Sequence, residues 1–213
     1  MTSFADLSRK VADLTRRVTA LEGGAIGSPG SPVLYAANSI SNGDMESGST
    51  GWARWFWTGT LGTVSVETVA PLDGLRSLKV SEAASSSTRI VWLPTGSTSS
   101  PTIGTDVFPC AAGQTWLLSA LVQATVATTH AKLYAICGTS PSDCYSLVGA
   151  DTTWVAAADL PLTAATPAVL QGTITVPAGR NYLTLSCSPD DAAGASGVAW
   201  SWLLDDVSLQ RRL

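Results

Sequence analysis

The chain has 213 residues, 45% of them hydrophobic and only 13% charged, with a formal net charge of −4. That length suits one sizeable domain with an appendage, and so few charges leave Ser, Thr, Gly and Ala to build the surface. The twelve basic residues are not clustered, so no nucleic-acid partner is expected, and no apolar run is long enough to insert in a membrane.

From the N-terminus, Phe4, Leu7, Val11, Leu14, Val18 and Leu21 recur at alternating spacings of three and four. Apolar residues at that period make a two-residue-wide helical seam, and a lone helix of that length needs partners. Residues 1–22 are therefore expected to be a coiled-coil oligomerisation helix. Within "RVTALE", Arg17, Val18, Leu21 and Glu22 resemble the short signature of trimeric coiled coils, in which the arginine stem covers the core and its head reaches a neighbouring glutamate. β-Branched residues at one seam position with Leu at the other lean toward a dimer instead. The signature is weighed above that pattern, and a homotrimer is the expectation. Asp6, Arg9, Lys10, Asp13, Arg16 and Arg17 interrupt any signal-peptide core, so export by that route is not expected.

Residues 23–38 are rich in Gly, Pro and Ser and cannot continue a helix. They read as a flexible linker. Gly24, Gly27 and Gly30 leave three collagen-type triplets as the alternative.

Beyond the linker the apolar period changes to two. Strands are expected near 63–69, 77–80, 88–93, 115–127, 131–137, 152–157, 169–176, 182–186 and 198–209, separated by turn clusters such as "APLDG", "GTSPSDC" and "PAGRN". Many short strands without helices between them imply a β-sandwich or barrel, and their number suits a jelly roll. The expected fold is thus mainly β: a jelly-roll sandwich over 39–213, preceded by a short α-helical coiled coil.

Cys137 and Cys144 bracket a turn-rich loop. They are either a disulfide across a hairpin end or two buried thiols. His130 is the only histidine and alternates with Thr128 and Lys132, as a surface residue of a strand would. No Ser-His-Asp order, zinc-protease helix motif or phosphate-binding loop occurs, and no enzyme is expected.

Five blocks occur in order: "SISNGDMESGSTGW" (39–52), "LDGLRSLKV" (72–80), "FPCAAGQTWLLSALVQA" (108–124), "GTITVPAGRNYLTL" (172–185) and "WLLDDVSL" (202–209). Their sequence and spacing resemble carbohydrate-binding modules of the family 4 and 9 type, with Met45 where those modules usually carry Phe and Trp116 where they carry Tyr. A coiled coil feeding such a jelly roll is also the layout of many phage tail, fibre and tail-tip proteins.

The resemblance implies a structural Ca²⁺ tying the opening block to the last strand, held by Glu46, the backbone carbonyl of Asp44 and Asp205, with Asp73 or a neighbouring carbonyl of the "PLDG" turn; capping of a strand end by Asp205 and Asp206 is the alternative. It also implies sugar platforms among Trp55, Trp57, Trp92, Trp154, Trp200 and Trp202, since flat rings meet the apolar faces of pyranoses. By alternation, Trp200 and Trp202 are expected to face away from an inner surface that Leu203 and Val207 define. A ligand, a neighbouring subunit or a loop would have to cover them. In "GWARWFW", the same alternation puts Trp52 and Phe56 inside, and Trp55 and Trp57 on the opposite face.

These readings combine into one expectation: a homotrimeric phage virion component of tail, tail tip or fibre, made in the host cytoplasm, whose jelly rolls meet host cell-envelope glycans. Presenting three weak sites together would add avidity. The alternative is a structural or decoration protein that packs on other virion proteins and binds no sugar.

Overall fold

The computed structural model describes residues 33–58, 62–82, 87–146, 150–190 and 199–213; within β1, from residue 55 onward, it describes the backbone alone. The described residues form eleven strands: β1 (Trp52–Thr58), β2 (Thr63–Glu67), β3 (Ser77–Glu82), β4 (Ser87–Trp92), β5 (Phe108–Pro109), β6 (Thr115–Ala124), β7 (Thr128–Gly138), β8 (Thr152–Leu162), β9 (Ala168–Thr175), β10 (Tyr182–Asp190) and β11 (Trp200–Arg211). They make two antiparallel sheets. One runs β1-β4-β10-β7-β8 with β5 beside β10, and the other runs β2-β3-β11-β6-β9.

Period-two alternation fills the space between the sheets. Leu78 and Val80 on β3, Leu118, Ala120 and Val122 on β6, and Leu204, Val207 and Leu209 on β11 meet Ile90, Trp92, Leu133, Ala135, Leu183 and Leu185 from the other sheet. Along one side the sheets come close enough that a Cβ on Gly172 of β9 would overlap the Ala157 carbonyl oxygen of β8. Ala157 is the extra residue in a register shift of β8 against β7, so a bulge and a glycine together close that side.

The opening block plugs one end of the sandwich. Buried Asn42 donates from Nδ2 to the carbonyls of Gly48 (3.0 Å) and Thr50 (2.8 Å), accepts from Ser47 N (2.9 Å), and offers its own carbonyl to Trp52 Nε1 (3.0 Å). Met45 is fully buried where the resembled modules place Phe. Gly43 lies against β11, where Val207 N donates to its carbonyl at 2.8 Å and a Cβ would meet the Val207 carbonyl.

Two expectations are corrected here. The fold is a mainly β two-sheet sandwich, and among the described residues there is no α-helix preceding it; the helical element described is a four-residue 3-10 turn, Ser142–Tyr145. The heptad residues Phe4, Leu7, Val11, Leu14, Arg17, Val18, Leu21 and Glu22 lie outside the described residues, as do linker residues 23–32. The homotrimer was argued from that helix alone, so it too rests on residues outside the described ones.

The second correction concerns β11. Trp200 and Trp202 point into the core, 4% and 1% exposed, in phase with Leu204. Leu203 lies on the outer side. Counting back from Val207 gives the wrong face because the register against β6 shifts between Asp205 and Ser208, and Asp206 adopts φ 47°. The extra residue reverses the alternation, so tryptophans before it and Val207 after it share the interior.

Candidate functional site

The face of the β1-β4-β10-β7-β8 sheet turned away from the core carries the side chains that alternate with core residues: Arg89 and Val91 on β4, Lys132, Tyr134 and Ile136 on β7, Trp154 on β8, and Thr184, Ser186 and Ser188 on β10. One part of this face is closed. Val91, Leu93, Val107, Ile136, Cys144 and Tyr145 form a second buried cluster beneath the 94–107 loop and the 3-10 turn. Fully buried Asp106 anchors that loop, accepting from Thr95 N (2.9 Å), Thr95 Oγ1 (2.6 Å) and Thr102 N (2.6 Å). The Tyr145 hydroxyl donates between the carbonyls of Trp92 and Asp106, 2.8 Å from each.

The rest of the face is partly open, and three side chains organise it. The Arg89 guanidinium carbon lies 5.0 Å from the Trp154 ring centroid and 5.7 Å from that of Tyr134, while the two rings meet edge to face at 5.7 Å and 82°. The order of strands produces this cluster: β4 and β7 flank β10, and Trp154, opposite Ile136, is diagonal to Tyr134. Cation–π attraction of about 0.5–2 kcal/mol steadies the arginine across the intervening strand.

Beneath them Ser186, the cross-strand partner of Tyr134 and Val91, is wholly buried, and its hydroxyl has no hydrogen-bond partner among the described residues. Toward the far end, His130 Nδ1 and Asp159 Oδ1 sit 2.8 Å apart, both exposed, and Lys132 is the register partner of Asp159 and of Ser188. Ring faces, planar donors and hydroxyls on one sheet surface suit a polyhydroxylated ligand.

Of the six tryptophans expected as platforms, Trp154 belongs to this cluster. Trp55 pairs in register with Arg89, which places its backbone at the same surface, while Trp57 falls at the register shift between Phe56 and Thr58. Trp92, Trp200 and Trp202 are core residues, at most 4% exposed, and offer no face to a ligand in this structure. Trp92 packs edge to face on Trp52 at 5.1 Å. Sequence reasoning missed Arg89, Tyr134 and Lys132. The signal was there in "STRIVW" and "THAKLYAIC", whose alternation puts Arg89, Lys132 and Tyr134 opposite the core.

Cys137 and Cys144 are both reduced and buried, so the disulfide alternative is corrected. Cys137 packs between the sheets and Cys144 belongs to the cluster on the other side of its sheet. Burial pushes the Cys137 thiol up to about 12 and raises Cys144 further still.

The residues expected around calcium gather at one turn. Asp205 Oδ2 accepts from Ser77 Oγ (2.7 Å) and Asp73 N (3.2 Å), and its Oδ1 accepts from Asp206 N (2.8 Å). Glu46 Oε1 accepts from Leu75 N at 2.7 Å, and Asp44 Oδ1 from Glu46 N at 3.3 Å. Burial of Asp205 outweighs these bonds and lifts its carboxyl to about 7. Hydrogen-bond donors meet each of these carboxylate groups, and among the described residues no group of three or more His, Cys, Asp or Glu is placed to hold a metal ion. In this arrangement the oxygens of the turn cap backbone and hydroxyl donors.

No protein-family model matches the chain, and no curated protein matches it. Solved structures do. One described as a family 16 carbohydrate-binding module aligns over 81% of this chain and 99% of its own, at 20% identity and a TM-score of 0.52. A family 22 xylan-binding domain from Paenibacillus barcinonensis Xyn10C aligns over 79% and 97%, at 17% identity and 0.50. The enzymatically active domain of tailspike protein 4 of bacteriophage CBA120 aligns over 82% of this chain but only 21% of its own, at 14% identity and 0.50, so that protein's activity belongs to a much larger chain. At these identities the likeness is one of fold: the chain is a β-sandwich of the kind seen in those carbohydrate-binding modules.

Proposed function

We propose that the protein binds glycans through the open surface of the β1-β4-β10-β7-β8 sheet, and that in a phage virion this surface meets the host cell envelope. The observation that carries the reading is the Arg89–Tyr134–Trp154 cluster, which sets two aromatic rings and a guanidinium side by side on a partly open sheet face. The fold likeness to carbohydrate-binding modules supports the ligand class, and the likeness to part of a phage tailspike supports the setting. The test is a glycan array and a pull-down of host envelope fractions, run with the full chain and with Trp154→Ala and Tyr134→Ala. Retention of one glycan class, lost in both variants, is expected; retention unchanged by either variant overturns the site.

A second reading, a virion structural protein that packs on its neighbours without binding sugar, draws on the opposite surface. On β9, Val169 is 60% exposed and stands across from Leu121 of β6. Failure to retain any envelope glycan, together with co-purification of another virion protein, would favour it.

Calcium at the Asp205 turn is retained as a proposal on the resemblance alone, and it requires Glu46 or Asp73 to turn toward Asp205. Thermal melts with millimolar calcium and with chelator decide it: a higher midpoint with calcium is the expected sign, and identical midpoints remove it.

A further inference from the structure

We propose that the chain pairs with a second copy of itself through strand β9, joining two β2-β3-β11-β6-β9 sheets edge to edge into one continuous antiparallel sheet. The inference is independent of the glycan reading and goes beyond it.

Four strands end the two sheets: β1, β8, β2 and β9. A sheet edge offers unpaired N–H and C=O groups to any other strand, and proteins ordinarily blunt it with charge, proline, bulges or short length. Three of the four are blunted. β1 carries exposed Arg54 and a register shift against β4 between Phe56 and Thr58. β8 carries Asp159, Pro161 and register shifts against β7. β2 is five residues long and ends on Glu67. β9, Ala168–Thr175, has no charge, no proline and an unbroken register against β6, from Thr175 opposite Thr115 to Ala168 opposite Val122.

Its free groups can be assigned residue by residue. Val176 N donates to the Gln114 carbonyl, and the Val176 carbonyl accepts from Gly113 N, so Val176 turns its backbone groups toward the β6 side. Alternation then turns Ile174, Gly172 and Leu170 toward β6, and Thr175, Thr173, Gln171 and Val169 outward. Among the described residues no other strand pairs with that side of β9. Ala157 does not cover it, because its carbonyl lies where a Gly172 Cβ would be, above the inner face of the sheet and not beside the strand.

The partner that fits this edge is β9 itself. Antiparallel pairing about a two-fold axis at Gly172 sets Val169 of one copy opposite Thr175 of the other, Gln171 opposite Thr173 and Leu170 opposite Ile174. Outward-turned residues thereby meet outward-turned residues, and each such pair exchanges both of its backbone bonds. Side chains match on both faces: β-branched meets β-branched, amide meets hydroxyl, and aliphatic meets aliphatic. Because the axis is perpendicular to the sheet, the open faces of the two β1-β4-β10-β7-β8 sheets turn to the same side, where two weak sites act on one surface together.

The mass of the full chain is measured by sedimentation over a dilution series. One strand pair is a small interface, so a concentration-dependent dimer with a dissociation constant on the order of micromolar is expected. Gln171→Lys combined with Thr173→Lys sets like charges opposite each other across the axis and should weaken the dimer about tenfold or more. Gln171→Glu with Thr173→Lys alters the same positions but sets opposite charges across the axis, and should dimerise at least as well as the parent. Equal urea midpoints for the two variants separate this effect from a fold defect. Ser65→Lys, on the β2 edge, should change nothing. Amide exchange reads the register: Gln171 and Thr173 N–H should be protected in the concentrated dimer and exchange on dilution, while Gly172 N–H stays protected throughout. A monomer at every concentration, a trimer, or a dimer indifferent to the paired lysines overturns the inference. Protection of the β9 amides only in the presence of another virion protein assigns the edge to that partner and overturns it likewise.

Discussion

Trp202→Ala and Trp154→Ala should have opposite consequences, because one ring is core and the other is surface. Trp202 is 1% exposed and packs in the interior with Leu78, Val80 and Leu204. Its removal leaves a large cavity, at a cost of about 3–5 kcal/mol. The indole N–H adds little, since its contact with Glu82 Oε1 is long at 3.4 Å. For a chain of this size each kcal/mol lowers the melting temperature by about 2–4 °C, so a fall on the order of 10 °C is expected. Trp154, half-buried on the open face, gives up one edge-to-face contact and part of the grip on Arg89, together about 1–2 kcal/mol. Urea unfolding and glycan titration on the same preparations read both effects. Trp202→Ala should lose stability and, where folded, keep its ligand; Trp154→Ala should stay folded and lose it. The reverse pattern, a binding loss in a stable Trp202→Ala, would refute the inward assignment of β11 and with it the choice of face.

The remaining predictions concern the frame around the site. With thiols pushed up to about 11 at Cys110 and about 12 at Cys137 and Cys187, the native protein should resist a thiol reagent at neutral pH and release four thiols on denaturation; two missing thiols would restore a disulfide. Gly172→Ala should destabilise by about 1–3 kcal/mol or more, because the new methyl meets the backbone of Ala157; an unchanged urea midpoint would show that the sheets can part there. The raised carboxyl of Asp205 means that the folded state binds its proton more tightly than the unfolded chain, so its contribution is full below about pH 4 and is lost as pH rises through 7. Asp205→Asn should flatten that decline while losing one acceptor for the Ser77 and backbone donors, and a steeper decline in the variant would contradict the assignment.

Much of the β frame was legible because alternation and turn chemistry are local. The expected strands 63–69 and 182–186 correspond to β2 and β10, and the opening block sits where Asn42, Gly43 and Met45 require it. Legibility failed where one residue changed the phase. The Asp205–Asp206 bulge reversed the facing of Trp200 and Trp202, and so moved two tryptophans from candidate platforms to core. The site was half visible for a different reason: a search for aromatic platforms finds Trp154, but Arg89 and Tyr134 reach it only through the order β4-β10-β7-β8, which joins strands far apart in the chain. That order is a tertiary fact that no window of sequence contains.

The bulge in β11 has a consequence for how this chain can vary. From Asp205 to Ser208 the strand advances three residues while β6 advances two, so β11 carries one residue more than its partner. Removing that residue would shorten the step from Leu204 to Val207 to two, and simple alternation would then hold Trp200, Trp202, Leu204, Val207 and Leu209 all inside. The core is therefore indifferent to the extra residue, and the turn is not: without Asp205 the Ser77 hydroxyl and the Asp73 N–H lose their acceptor. In this strand a single-codon deletion would thus spare the packing and act on the turn that the bulge holds.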